Sequence, residues 1–254
     1  MPQSNHLGTN TLPGLAHRIS CGTCWVRGLC LGDHLPETLI DQADTEVSRR
    51  GPLGEGEYLF QAGDPCTGIH IVQTGLVKKV TVTADGSERV LGFHMGGDIV
   101  GFEGLDEGRH HLAVQALDTT TFCHLTVASL ERIACTVPPL YRRVIHLLAN
   151  GDFQDLRDNV LLRDSPAEVR VVAFLLRFAE RLAARHQESR NFMLKVPRRD
   201  LANYLGLKRE TVSRTLSRLQ RDGLIELGPQ RQFRLLDPAA LRERLAAHQQ
   251  YLVD

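Results

Sequence analysis

Three cysteines crowd into ten residues near the N-terminus, in the run Cys21-Gly22-Thr23-Cys24-Trp25-Val26-Arg27-Gly28-Leu29-Cys30. A C-x2-C-x5-C spacing gathers thiolates, and gathered thiolates bind soft metals: zinc or an iron–sulfur cluster. Gly22 and Gly28 are expected to let the backbone curl so that the three sulfurs face one point. The plainer readings are a disulfide pair or three unrelated thiols, but scattered cysteines rarely produce such a run.

A second set of chemically suited residues lies near the other end. Between Arg198 and Arg221 stand seven basic residues (198, 199, 208, 209, 214, 218 and 221) against two acidic ones (200 and 210), a local balance of +5. The whole chain has 30 basic and 30 acidic residues, so this is a patch in a neutral protein and suits phosphates. Glu210, Ser213 and Arg214, with spacings of 3 and 4, share one helix face with Arg209 beside them. Arginine pairs bidentately with guanine and glutamate accepts from cytosine, so this face is the candidate for base readout. Lys208, Thr211 and Arg218 are the candidates for phosphate contacts that set register.

The elements that must position these groups follow from the pattern. Arg199–Leu205 reads as a short helix, Gly206 as a turn and Lys208–Asp222 as a second helix. Leu201, Ala202, Leu205, Leu207, Val212, Leu216 and Leu219 form their core, and together they make a helix-turn-helix. Leu224–Leu227 and Phe233–Leu236 flank a Gly-Pro turn and read as a β-hairpin wing. Upstream, Ser165 and Glu168 are spaced as a capping box with Pro166 in the first turn. They open a helix that runs on Val169, Val172, Ala173, Leu176, Ala179, Leu182 and Ala183 to about His186, with a loop over Gln187–Asn191.

Residues 54–127 have a different texture. Short β-branched runs at Tyr58–Phe60, Ile69–Gln73, Leu76–Thr83 and Glu88–Phe93 alternate with glycine turns, and Asp85-Gly86 is a hairpin signal. That spacing predicts an antiparallel roll or barrel. Pro36–Arg49 reads as an amphipathic helix before it, with Leu39, Ile40 and Ala43 inward. After the roll, Pro138 opens a long helix to about Arg163. Leu140, Val144 and Leu147 are spaced as a coiled-coil seam, and Asp152, Asp155 and Asp158 crowd its second half. The helix is either an ordinary one packed on its own domain, or a dimer helix weakened by like charges across the seam.

The 254-residue length suits one large or two modest domains. Six cysteines without regular pairing do not resemble a secreted disulfide scaffold and point to a reducing compartment. No stretch has the length and apolarity of a signal peptide or a membrane span, so a cytoplasmic protein is expected. Nucleophile-elbow, phosphate-loop and metal-hydrolase motifs are missing, so no enzyme is expected.

Lys208-Arg209-Glu210-Thr211-Val212-Ser213-Arg214 resembles the recognition helix of the CRP/FNR transcription regulators, and E-x-x-S-R is the form of the FNR branch. Gly92-Phe93-His94, Gly97-Asp98-Ile99-Val100-Gly101-Phe102 and Asn203-Tyr204-Leu205-Gly206-Leu207 carry the resemblance further, and so does the order of elements over nearly all the chain. The resemblance implies an α+β fold: a flexible stretch 1–20, a cysteine segment and cyclic-nucleotide-binding-like β-roll (jelly roll) over 21–136, a dimerisation helix over 137–163, and a winged helix-turn-helix over 164–254. It implies one oxygen-labile 4Fe-4S cluster per subunit on Cys21, Cys24, Cys30 and a distant fourth ligand, Cys123. The position of Asp155 is implicated in the monomer–dimer balance of such proteins. Expected partners are a second copy of the chain, double-stranded DNA with TTGAT-like inverted half-sites, and RNA polymerase.

Cys123 is placed beyond the roll's strands, at the base of the dimer helix. The chain departs from the type at Arg209, which leaves one half-site position open, and at Trp25, which either screens the cluster from oxygen or only packs on the roll. Cys66 and Cys135 match no ligand of the type, and Cys135 is expected to be buried in a helix. His94 and His124 are expected to be core or surface residues rather than ligands. A structural zinc site, nitric-oxide or thiol-redox sensing on the same cysteines, and cyclic-nucleotide binding are the alternatives. The last is disfavoured because the segment from Gly101 to Leu112 lacks the Arg-Ser pair of nucleotide pockets.

Overall fold

The computed structural model describes residues 20–30, 37–83, 86–161 and 165–249, without the side chains of 150–161 and 248–249. The expected flexible stretch before residue 20, Pro36, and Asp85 of the hairpin signal lie outside the described residues.

A helix α1 (Glu37–Glu46) leads into strand β1 (Val47–Leu53). The predicted helix therefore stops three residues short of Arg49. Val47, Ser48 and Arg49 pair instead with the free edge of a later strand, and that ladder outweighs local helix propensity. Strands β2 (Tyr58–Phe60), β3 (Gly68–Thr74), β4 (Leu76–Val82), β5 (Glu88–Met95), β6 (Ile99–Val100), β7 (Ala113–Ala116) and β8 (Thr120–Thr126) follow. They form two four-stranded antiparallel sheets, ordered β1-β8-β3-β6 and β2-β7-β4-β5, which is the predicted β-roll.

Alternation along β3 and β8 assigns each face. Val72 and Phe122 point into the roll with Phe60, Val77, Val100 and Val114. Ile69, Ile71 and Leu125 point outward into a second apolar cluster with Ile40 and Ala43 of α1. Two helices cover this outer face: α2 (Val127–Thr136), capped by the Thr126 hydroxyl accepting from Ser129 N, and α3 (Pro138–Leu161).

The seam expected of α3 is displaced. Leu140 and Val144, 0% and 2% exposed, and the partly buried Leu147 pack on the chain's own roll. Side chains buried within one chain cannot also face a partner. Among the described side chains of α3, the exposed large apolar ones are Tyr141 and Ile145, one position further on, at 39% and 47%. The side chains of Asp152, Asp155 and Asp158 lie outside the described residues.

The C-terminal part comprises α4 (Ala167–Ala183), β9 (Asn191–Met193), α5 (Arg198–Leu205), α6 (Arg209–Arg221), β10 (Ile225–Leu227), β11 (Gln232–Leu235) and α7 (Pro238–Gln249). Gly206 ends α5 with φ 63°, a left-handed turn that favours glycine. The wing is three-stranded, ordered β10-β11-β9, because Asn191–Met193 pairs with β11 where a loop was expected through Asn191. The capping box at α4 does not form. Pro166 is the cap, without a side-chain bond, and the Glu168 carboxylate is held by Arg218 and Arg244.

The roll and the winged helix share one apolar core. Phe93 meets Phe174 and Tyr204 edge-on, and Leu76, Val80, Val90 and Met95 join Leu175, Leu201 and Leu205. Lys78 Nζ of β4 lies 3.0 Å from Asp200 Oδ2 of α5, with side chains 2% and 6% exposed. Asn203 accepts from Val90 N at 2.8 Å and donates to Glu88 O at 2.7 Å, so α5 is bonded to the edge of β5. Among the described residues no helix is long and apolar enough to cross a membrane.

Candidate metal centre and nucleic-acid interface

The cysteine segment is a chain of tight turns. Thr23 N donates to Ser20 O, Arg27 N to Cys24 O, and both Leu29 N and Cys30 N to Val26 O, at 2.9–3.1 Å. These bonds make the curl, and the glycines do not. Neither Gly22 nor Gly28 has a positive φ, and a Cβ on either would meet at most ordinary contacts. Val26 is fully buried, while Cys21, Cys24 and Cys30 are half-buried.

Cys123 is not beyond the roll. It sits in β8, opposite Arg49 of β1 and Ile71 of β3, on the outward face, and α2 separates it in sequence from α3. Period-two alternation puts it on the same apolar patch as Cys21 and Cys30. Burial pushes the Cys21 thiol up to about 12, with Asp44 adding to the effect and Arg49 opposing it. Burial likewise pushes Cys123 up to about 12, against Arg49 and together with Cys24 and Cys30. Cys123 therefore lies within electrostatic reach of Cys21, Cys24 and Cys30.

As they stand, no three His, Cys, Asp or Glu side chains among the described residues are gathered closely enough to hold a metal ion. The donor set nonetheless suits one. Four cysteine sulfurs are soft donors, and such donors select zinc or iron–sulfur centres.

Several polar groups frame the sulfurs that no sequence signal indicated. Asp44 Oδ1 accepts from Cys21 N at 2.8 Å and from Arg49 Nη2 at 2.5 Å. Arg49 Nη2 lies 3.9 Å from Cys21 Sγ, and Gln73 Nε2 lies 3.9 Å from Cys24 Sγ. Arg143 Nε of α3 donates to Cys30 O at 3.0 Å, which ties the segment to the long helix directly. Cys66 is buried away from this set, its thiol donating toward Gly101 O and Gly68 O. Cys135 is exposed on α2 rather than buried, since Ser129 and Ile133 take the inward face of that helix.

At the other site the local reading and the structure agree closely. Val212, Thr215, Leu216 and Leu219 face inward along α6, leaving Arg209, Glu210, Ser213 and Arg214 exposed on one side. Lys208 is exposed at the helix start and Thr211 is half-buried. The basic patch is thinner than its sequence suggests: Arg218 is paired with Glu168, and Arg198 lies over the Phe233 ring at 4.9 Å.

A DNA-reading helix presented by a three-stranded wing, joined through a long helix to an eight-stranded roll, defines the class. Residues 169–244 match the profile of the Crp-like helix-turn-helix domain, and residues 52–135 match that of the cyclic nucleotide-binding domain. The chain belongs to the CRP/FNR family of DNA-binding transcription regulators, which are not enzymes.

It is 35% identical over 209 residues to electron transport regulator A of Shewanella oneidensis, covering 82% of this chain and 84% of that protein. It is likewise 35% identical over 208 residues to the fumarate and nitrate reduction regulatory protein of Escherichia coli, covering 82% and 83%. Among solved structures, FixK2 of Bradyrhizobium japonicum superposes with a TM-score of 0.67 at 30% identity, over 78% of this chain and 95% of that one.

Proposed function

We propose that this protein is a cytoplasmic, oxygen-responsive transcription regulator that binds an inverted-repeat promoter site as a homodimer. One 4Fe-4S cluster per subunit is held by Cys21, Cys24, Cys30 and Cys123. The observation that carries this reading is that Cys21 and Cys30 of the N-terminal segment share one apolar patch beside α3 with Cys123 of β8, and that Cys24 lies close enough to act electrostatically on Cys123. The 35% identity to a regulator named for fumarate and nitrate reduction supports the same reading. Cys21, Cys24, Cys30 and Cys123 would supply the thiolates, and such a cluster would bridge the two segments and supply lability to dioxygen.

The chain's own residues then do the rest. Closing segment 21–30 on Cys123 fixes Cys30, whose carbonyl accepts from Arg143, and so fixes the start of α3. Tyr141 and Ile145 of that helix are exposed, and Asp152, Asp155 and Asp158 follow them in the sequence. Two copies meeting along this helix must overcome repulsion among those carboxylates, which makes the dimer depend on the geometry set at Cys30. Release of the segment in air removes that support and the dimer separates. Each copy alone presents one recognition helix, so affinity for a palindrome falls steeply. Base readout is assigned to Glu210, Ser213 and Arg214 with Arg209 beside them, and phosphate contacts to Lys208 and Thr211. Arg218 joins those contacts only by exchanging Glu168 for a phosphate. RNA polymerase is the partner on DNA.

Cyclic-nucleotide binding is disfavoured by the roll interior. Phe60 and His110 stack at 3.6 Å beside Gly101, with Glu103 bonded to His110 at 3.2 Å. Anaerobic purification followed by iron, sulfide, zinc and visible-absorption analysis tests the proposal. About four irons and four sulfides per chain with a broad visible band are expected. A colourless, zinc-bearing protein would overturn the oxygen-sensing reading and leave the DNA-binding half intact.

A further inference from the structure

The turn Gly96-Gly97-Asp98 between β5 and β6 has two unrelated neighbours, one on each side. On one side sits the cysteine segment. A Cβ placed on Gly96 would lie 2.7 Å from Trp25 Cη2 and 3.0 Å from Val26 Cγ1, and one on Gly97 would lie 2.8 Å from Leu29 Cβ. The Trp25 indole, 45% exposed on its outer side, therefore rests directly on the backbone of residue 96, where a Cβ would push it aside. Gly97, at φ 93°, is in a conformation that favours glycine as well.

On the other side sits the DNA-binding half. Arg185, at the end of α4, donates from Nε to Gly96 O at 2.7 Å and from Nη2 to Asp98 Oδ1 at 2.6 Å. Arg181 donates to Phe93 O at 2.8 Å and to Asp98 Oδ2. Asp98 also closes its own turn, accepting from Met95 N at 2.7 Å. One peptide carbonyl and one carboxylate thus hold the seat of Trp25 and the end of α4 together. Arg185 is itself buried, so its bond to Gly96 O is shielded from solvent, while Asp98 and Arg181 remain partly exposed.

We infer that Asp98 is a positioning residue that couples the cysteine segment to the DNA-binding domain within a single chain, through the Trp25–Gly96 contact and the Arg181–Arg185 clamp. This route does not pass through α3 or the dimer contact, and it holds whether the thiols carry a cluster, zinc or nothing. A change at the cysteines that lifts Trp25 from Gly96 also loosens Arg185 on Gly96 O, and so shifts α4, against which α6 packs. Coupling of this kind is reciprocal.

The chain contains a single tryptophan, so Trp25 is its own reporter. In the full-length protein, Asp98→Asn and, separately, Arg185→Gln are expected to raise acrylamide quenching of Trp25 fluorescence about twofold and to shift its emission to the red. In the reverse direction, Trp25→Ala is expected to speed amide hydrogen exchange in residues 181–187 about tenfold, as local opening becomes easier. Arg185→Gln leaves the Asp98–Met95 turn bond in place, so it remains informative if Asp98→Asn disturbs the turn. Arg185→Lys, which keeps the charge, is expected to restore most of the quenching protection. If exchange at 181–187 rises in the clamp variants while Trp25 quenching stays at the wild-type value, the two sides are not coupled and the inference is overturned. Metal content is measured in the same samples. Its absence would sink the cluster proposal without touching this one.

Discussion

The recognition helix and the cysteine site present opposite problems to a folding chain. The first is contiguous. Residues 208–214 need only a helical period and an apolar underside to reach one face, and Val212, Thr215, Leu216 and Leu219 supply that underside. The second is assembled. Its sulfurs come from residues 21–30 and from β8, and its surroundings from α1, β1, β3 and α3 through Asp44, Arg49, Gln73 and Arg143. The first needs only the neighbouring helices beneath it, whereas the second exists only when several distant elements dock. That makes the second suited to sensing and the first to reading.

The sharpest break of this comparison is at Cys123. Changing Cys123→Ser, a hundred residues from the main cysteine run, is expected to abolish iron and sulfide retention while the DNA-binding half keeps its melting behaviour. Full retention of iron would mean that segment 21–30 is sufficient, and the site would be as local as the helix.

The recognition helix is local in its chemistry but not in its placement. Asp200→Ala leaves the buried Lys78 with only the more exposed Glu88 carboxylate, 3.9 Å away, and is expected to cost about 3 kcal/mol in urea unfolding. The double change with Lys78→Met should recover most of that loss, since no charge is then stranded.

Arg214→Ala removes one exposed side chain proposed to read a base, without disturbing the core of α6. The expected loss in DNA affinity is about 1–3 kcal/mol, concentrated at one base-pair position, by fluorescence anisotropy on variant half-sites. A uniform loss across sequences would assign Arg214 to phosphate instead.

The platform beneath the cysteines should also be acid-sensitive. Burial lowers His70 to about 3, with the neighbouring His124 and Arg50 adding to the shift, and its Nδ1 has no hydrogen-bond partner. The unfolded chain takes up that proton near pH 6.5 and the folded roll does not. Stability is therefore complete above about pH 6.5 and is lost as pH falls toward 3, by up to about 1.4 kcal/mol per pH unit. Denaturant titrations of wild type and His70→Phe between pH 7 and 5 check this. Equal pH slopes would contradict it.

Legibility followed the same divide. The roll, the helix-turn-helix and the exposed face of α6 could be read because alternation, glycine turns and helical spacing are properties of neighbouring residues. The inward face of α3 was misassigned, since Leu140–Val144 and Tyr141–Ile145 have equally regular spacing and only the roll decides which pair it buries. Glu168 looked like a cap because sequence shows position but not competition, and Arg218 and Arg244 claim it in three dimensions. Cys123 is singled out by family likeness alone, and its place in the last strand of the roll, not beyond it, depends on pairing with β1 and β3. Asp44, Arg49, Gln73 and Arg143 carried no signal, because a charged residue's partner across a fold leaves no trace in spacing.

The most direct test of the central claim is made on one anaerobic sample. Its molar mass in solution and its affinity for a palindromic site are measured before and after admission of air, with visible absorption followed throughout. A dimer that binds tightly, then bleaches, dissociates and loses affinity together, is the predicted result. Unchanged mass and DNA affinity after complete bleaching would contradict the account.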